Sequence, residues 1–112
     1  MSVNKKMKAD DICRSIDIRI RPQAITLTKQ ILFMAKKLEE TQKKIKAEPL
    51  VVEYDNGGGQ TGSRENPSFT AYEKLLAAYT KSLSTLKKLI GDNAPAEINT
   101  LDNLRSRFKV QA

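Results

Sequence analysis

Histidine is missing from this chain, and cysteine occurs once, at Cys13. A Cys/His zinc site needs several such ligands and is excluded. So are the nucleophile mechanisms that depend on an imidazole base. A single thiol allows no internal disulfide, which fits a reducing compartment. Tryptophan is absent, and only 39% of the 112 residues are apolar. That is lean for a chain closing one modest core, so part of the apolar surface is expected to be shared between subunits. No apolar run approaches the length of a membrane span. The lysines near the start are not followed by the apolar stretch of a secretory signal. No acidic cluster suggests a magnesium site, and neither metal nor cofactor is expected.

Positive charge is in excess, at net +7, and it is unevenly placed. Residues 1–47 carry 12 Lys/Arg against 5 Asp/Glu, residues 48–66 carry 1 against 4, and residues 67–112 carry 7 against 4. The basic excess therefore falls on the segments with helical patterning, and the connection between them is acidic. A basic helical body attracts a polyanion, of which nucleic acid is the usual one. The competing reading is a set of solvated lysine faces.

Residues 1–9 read as a basic, mobile start. Ile12, Ile16 and Ile20 then recur every fourth position behind Asp10 and Asp11, which suits a short helix ending before Pro22. The same stretch, "IDIRIR", also alternates as a strand would. The helix is preferred because no partner strand is in sight. From Pro22 a helix is expected over 22–47. Ala24, Leu27, Ile31, Met34, Leu38, Thr41 and Ile45 keep a three-four spacing along it, and Pro49 lies beyond its end. A further helix is expected over 67–90. Asn66 caps it, Pro67 opens it, and Tyr72, Leu75, Leu76, Tyr79, Leu83, Leu86, Leu89 and Ile90 form its stripe, with Gly91 as a stop. Two such helices on a short connection pack antiparallel. Residues 92–112 read as a weakly ordered tail or a short helix carrying Leu101, Leu104 and Phe108, with Thr100 as its cap.

The connection, "VVEYDNGGGQTGSRENPSF", invites a nucleotide-binding reading, because Gly57, Gly59 and Gly62 satisfy G-x-G-x-x-G. Gly57 and Gly62 also have phosphate-loop spacing. The mechanism is missing in both cases. A phosphate loop needs Lys and Ser/Thr after its last glycine, and this chain has Ser63 and Arg64. Both motifs need a helix N-terminus touching the loop, yet the helix start lies beyond it at Asn66-Pro67. The dinucleotide fold needs several parallel strands and an acid about 20 residues on, where Ser82 stands. A strand pair fits better. "VVEY" has strand composition, "DNGGG" tolerates positive φ, and "QTGSR" can return antiparallel. The expected fold is therefore all-α: a long antiparallel helical hairpin with a short β-hairpin at the bend and short terminal helices, in a single domain over 1–112.

A helix, then Val52, Tyr54, Asn56, Gly57 and Gly58, then Asn66-Pro67 and an apolar helix to Gly91, resembles the compact branch of the phage terminase small subunits. The likeness covers roughly residues 15–91, and no separate helix-turn-helix head is evident. The resemblance implies a non-catalytic protein that assembles into a ring and binds viral double-stranded DNA. It also implies that the chain assists a separate large terminase subunit in the cytoplasm of a bacterial host. It carries no catalytic residue to this chain. The runner-up is a helical oligomerisation or adaptor protein that binds another protein.

On these readings Lys5, Lys6, Lys8, Arg14, Arg19 and Arg21 form a candidate phosphate-contacting patch, with Arg105 and Arg107 as a further cluster. Leu27, Ile31, Met34, Leu38, Tyr54, Tyr72, Tyr79 and Leu83 are the candidate oligomerisation residues. Tyr72 and Tyr79 can stack on bases, but their place in the stripe favours packing. Lys36, Lys37, Lys43, Lys44 and Lys46 read as a wet helix face, and Cys13 reads as a small apolar filler.

Overall fold

The computed structural model describes residues 8–46, 51–57, 60–65 and 67–108. The elements in chain order are α1 (Ala9–Ile12), α2 (Arg21–Ile45), β1 (Val51–Gly57), β2 (Gln60–Glu65), α3 (Pro67–Ile90) and α4 (Ala96–Phe108). The architecture is all-α in its core. Lys5 and Lys6, Ala47 to Leu50, and the Asn66 expected to cap α3 lie outside the described residues.

The isoleucines at the start do face inward. Ile12 and Ile16 are buried and Ile20 is half-buried. They do not lie on one helix, however. α1 ends after four residues, and the chain turns at Cys13, where the Ile16 N–H reaches the Cys13 carbonyl at 3.0 Å. Asp17 accepts the Arg19 backbone N–H at 2.9 Å, a local bond that competes with helix continuation. The Arg21 guanidinium then donates twice to the Ile16 carbonyl, at 2.8 and 3.0 Å. Side chains thus satisfy backbone groups that a continuous helix would have paired. We expect Arg21→Met to lower the urea-unfolding free energy by about 1–3 kcal/mol, the range for a lost bond to a charged donor.

α2 begins at Arg21 with Pro22 in its first turn. Its inward face is Ala24, Thr28, Ile31, Ala35, Leu38 and Ile45. Thr28 is buried without penalty, because its hydroxyl donates to the Ala24 carbonyl at 2.7 Å. Cys13 packs beside that hydroxyl, 3.4 Å away and fully buried. β1 and β2 pair antiparallel, with Val51, Glu53 and Asp55 opposite Glu65, Ser63 and Thr61. α3 buries Tyr72, Tyr79, Leu83 and Leu86. It gives way at Gly91, whose φ of +80° is open to glycine and strained for other residues.

The segment after Gly91 is a packed part of the core. α4 buries Ile98, Leu101, Leu104 and Phe108. Thr100 lies inside this helix and does not cap it; its hydroxyl donates to the Ala96 carbonyl at 3.4 Å. α4 runs antiparallel to α3: the Tyr72 hydroxyl bonds the Phe108 carbonyl, and the Tyr79 hydroxyl bonds the Leu101 carbonyl at 2.5 Å. The rings of Tyr79 and Phe108 meet edge to face at 5.8 Å. Lys87 reaches Asp102 at 2.5 Å, and Gln42 of α2 donates to the Arg107 carbonyl at 2.5 Å. α4 therefore seals one side of the α2–α3 pair. No buried side-chain polar atom among the described residues lacks a partner.

The molecule is elongated. Its radius of gyration is 17.8 Å, where a compact chain of this length has about 13 Å. Its accessible surface is 7777 Å², against roughly 6200 Å² for a compact monomer of this mass.

Candidate assembly and nucleic-acid surfaces

The side of α2–α3 that α4 leaves uncovered carries two adjoining grooves. Pro22, Gln23, Thr26 and Leu27 face Thr85 and Leu89 in the first. Lys29, Gln30, Phe33 and Met34 face Ser82 in the second. The pairing of the start of α2 with the end of α3 also fixes these helices as antiparallel. Phe33 is 62% exposed although it is one of three phenylalanines in the chain. Its ring takes the Lys37 ammonium at 5.7 Å. No carboxylate lines either groove. Lys29 lies in the lining. On α3, Lys81 and Lys88 border the other side of the ridge that Thr85 shares with the first groove. The result is an apolar floor between lysine-bearing edges.

This placement re-sorts the expected assembly residues. Ile31, Leu38, Tyr72, Tyr79 and Leu83 are 0–1% exposed within one chain, so they are core and offer nothing to a neighbouring subunit. The reason is α4, which occupies the stripe that the sequence leaves looking vacant. Leu27 and Met34 remain half-buried on the open side. The Tyr54 side chain lies outside the described residues. Phe33 was not among the expected residues. Its signal is a large aromatic that falls between the seam positions Ile31 and Met34.

The basic patch is brought together only in part. Arg14 and Arg19 are both exposed around the α1–α2 turn, but each has a carboxylate partner. Arg14 pairs with Asp11 at 2.9 Å, and Arg19 with Asp17 at 2.8 Å. The Arg19 side-chain bond holds the Asp17 carboxyl below its usual range, and Asp17 raises Arg19 in return. Exposed pairs of this kind are weak and exchange readily for a phosphate. Arg21 is committed to the Ile16 carbonyl. Lys8 is exposed at the start of α1. Arg105 and Arg107 lie on the last turns of α4, away from this turn, and Arg105 stands 3.7 Å from Asp102.

Among the described residues no group of three Cys, Asp or Glu converges to hold a metal ion, and no helix is long and apolar enough to cross a membrane. Compared with family models, curated proteins and solved structures, the chain matches none.

Proposed function

We propose that this protein is a non-catalytic, DNA-binding small subunit of a phage terminase. In this reading it self-associates through the helical hairpin, meets viral duplex DNA and regulates the large packaging subunit in a bacterial host. The observation that carries the reading is the segregation of charge. The helical parts hold excesses of seven and three positive charges, and the acidic connection, net −3, is set apart from them. A body of that sign concentrates a polyanion at its surface. The elongated shape and the open face of α2–α3 support self-association. The order of helix, strand-forming glycine segment, Asn66-Pro67 and second helix supports the family.

A second reading is a helical adaptor that binds another protein. It is favoured by the ion pairs at Arg14 and Arg19, which reduce the charge available at the α1–α2 turn. Affinity for duplex DNA measured across salt separates the two. A phosphate-contacting surface gives a linear fall of log K with log salt, and each phosphate contributes about −0.9 to the slope. Replacing Arg14 and Arg19 together by Gln should flatten that slope by about 1–2, with the circular dichroism of the helices unchanged. Arg21 is left intact because it supports the fold. An unchanged slope would move the contact to the lysines of α2 and α3. Failure to retain duplex DNA even at low salt would favour the adaptor. A large terminase gene beside this one would support the packaging role.

A further inference from the structure

The open groove and the acidic connection have opposite charge, and each is without a counterpart on its own element. We infer that they are the two halves of one head-to-tail interface, in which the residue 51–65 segment of one copy seats in the α2–α3 groove of the next. This rests on the self-association proposed above and assigns it a surface.

Three observations converge on a second copy as the occupant. The groove floor is apolar, from Leu27, Phe33, Met34 and Leu89, so a partner must bring apolar residues; the segment begins "VVEY". The groove lining has a lysine and no carboxylate, and Lys81 and Lys88 stand behind its shared ridge. Glu53, Asp55 and Glu65 supply the opposite sign, and strand pairing puts them on neighbouring rungs: Glu65 opposite Val51, Glu53 opposite Ser63, and Asp55 opposite Thr61. Finally, two identical grooves cannot face one another, because their lysines would repel. A groove-to-segment contact removes that repulsion. It is heterologous, so it propagates from copy to copy and closes into a ring if the rotation allows.

The test exchanges the charges. One variant carries Glu53→Lys, Asp55→Lys and Glu65→Lys; the other carries Lys29→Glu and Lys81→Glu, both exposed positions. Sedimentation is measured for the natural chain, for each variant alone and for their equimolar mixture, with helical circular dichroism recorded for all. The natural chain should assemble, more weakly as salt rises. Each variant alone should sediment as a monomer with its helices intact, its association weakened at least tenfold. The mixture should reassemble, since the reversed segment of one variant now matches the reversed groove of the other. Reassembly also shows that both variants are folded. Variants that stay assembled, or a mixture that stays monomeric while both keep their helices, would overturn this interface and leave self-association standing. A natural chain that is monomeric at every concentration would overturn self-association itself, and this inference with it. If the natural chain is monomeric alone but binds a designed acidic amphipathic helix at Phe33, the groove belongs to a different protein.

Discussion

A chain that stops at Pro95 should show no cooperative unfolding transition. The segment it would lose, α4, buries Ile98, Leu101, Leu104 and Phe108. Full burial of such side chains stabilises by about 1.5–3 kcal/mol each, or roughly 6–12 kcal/mol together as an upper estimate. Small domains are stable by about 5–15 kcal/mol in total. Losing α4 therefore removes most or all of the margin. It also uncovers Tyr72, Tyr79 and Leu83, which are now 0–1% exposed. Urea titration followed by circular dichroism should give a broad, shallow loss of helix, and an apolar dye should bind the shortened chain. The milder Leu101→Ala should keep the transition and lower its midpoint, at a cost of about 2–5 kcal/mol. A shortened chain with an unshifted midpoint would return residues 96–108 to the status of a tail.

The two long helices were legible because their signals are local and repeated. Pro22 and Pro67 lie at helix starts, Gly91 supplies the positive φ of a stop, and the three-four spacing marks one inward face on each helix. What a seam cannot encode is its partner. Ile31, Leu38, Tyr79 and Leu83 have the same spacing whether they meet another subunit or another helix of the same chain. The deciding element, α4, has few apolar residues in a short span. Its contacts join residues far apart in sequence, as Tyr72 joins Phe108. A short amphipathic helix draws its stability from such packing and has little of its own.

The candidate site was legible in charge and less so in geometry. Counting arginines finds Arg14, Arg19 and Arg21 but cannot assign their bonds. Asp17 and Arg19 are two apart, a spacing at which side chains on a helix do not face each other. They pair because the helix breaks after Ile12 and the turn folds Arg19 back onto Asp17. Arg21 illustrates the same point: its guanidinium closes a turn whose existence the isoleucine spacing concealed. Phe33 was visible as a misplaced aromatic, but only the position of α4 on the opposite side of α2–α3 leaves its face open.

Alkali should unfold this protein through its tyrosines, and truncation of one of them should reveal the same linkage. Burial pushes the Tyr72 hydroxyl up to about 12. Burial raises Tyr79 further, with the negative charges of Asp102 and Glu39 adding to the effect. Both phenols stay neutral in the folded state because a phenolate there would be desolvated. Below the ordinary tyrosine range, near pH 10, both states are protonated and the full stability is present. As pH rises above 10 the unfolded chain releases these protons while the folded chain retains them. Stability then falls until the folded groups also ionise. The phenolate absorbance of Tyr72 and Tyr79 should therefore appear together with loss of helical circular dichroism. Tyr79→Phe keeps the ring against Phe108 and removes the bond to the Leu101 carbonyl. It should cost about 1 kcal/mol at neutral pH and make unfolding less steep in alkali. Tyr79→Ala also leaves a cavity between α3 and α4, and should cost about 3–5 kcal/mol. Smooth ionisation of both phenols near pH 10, with the helices intact, would mean that α4 does not cover α3 in solution.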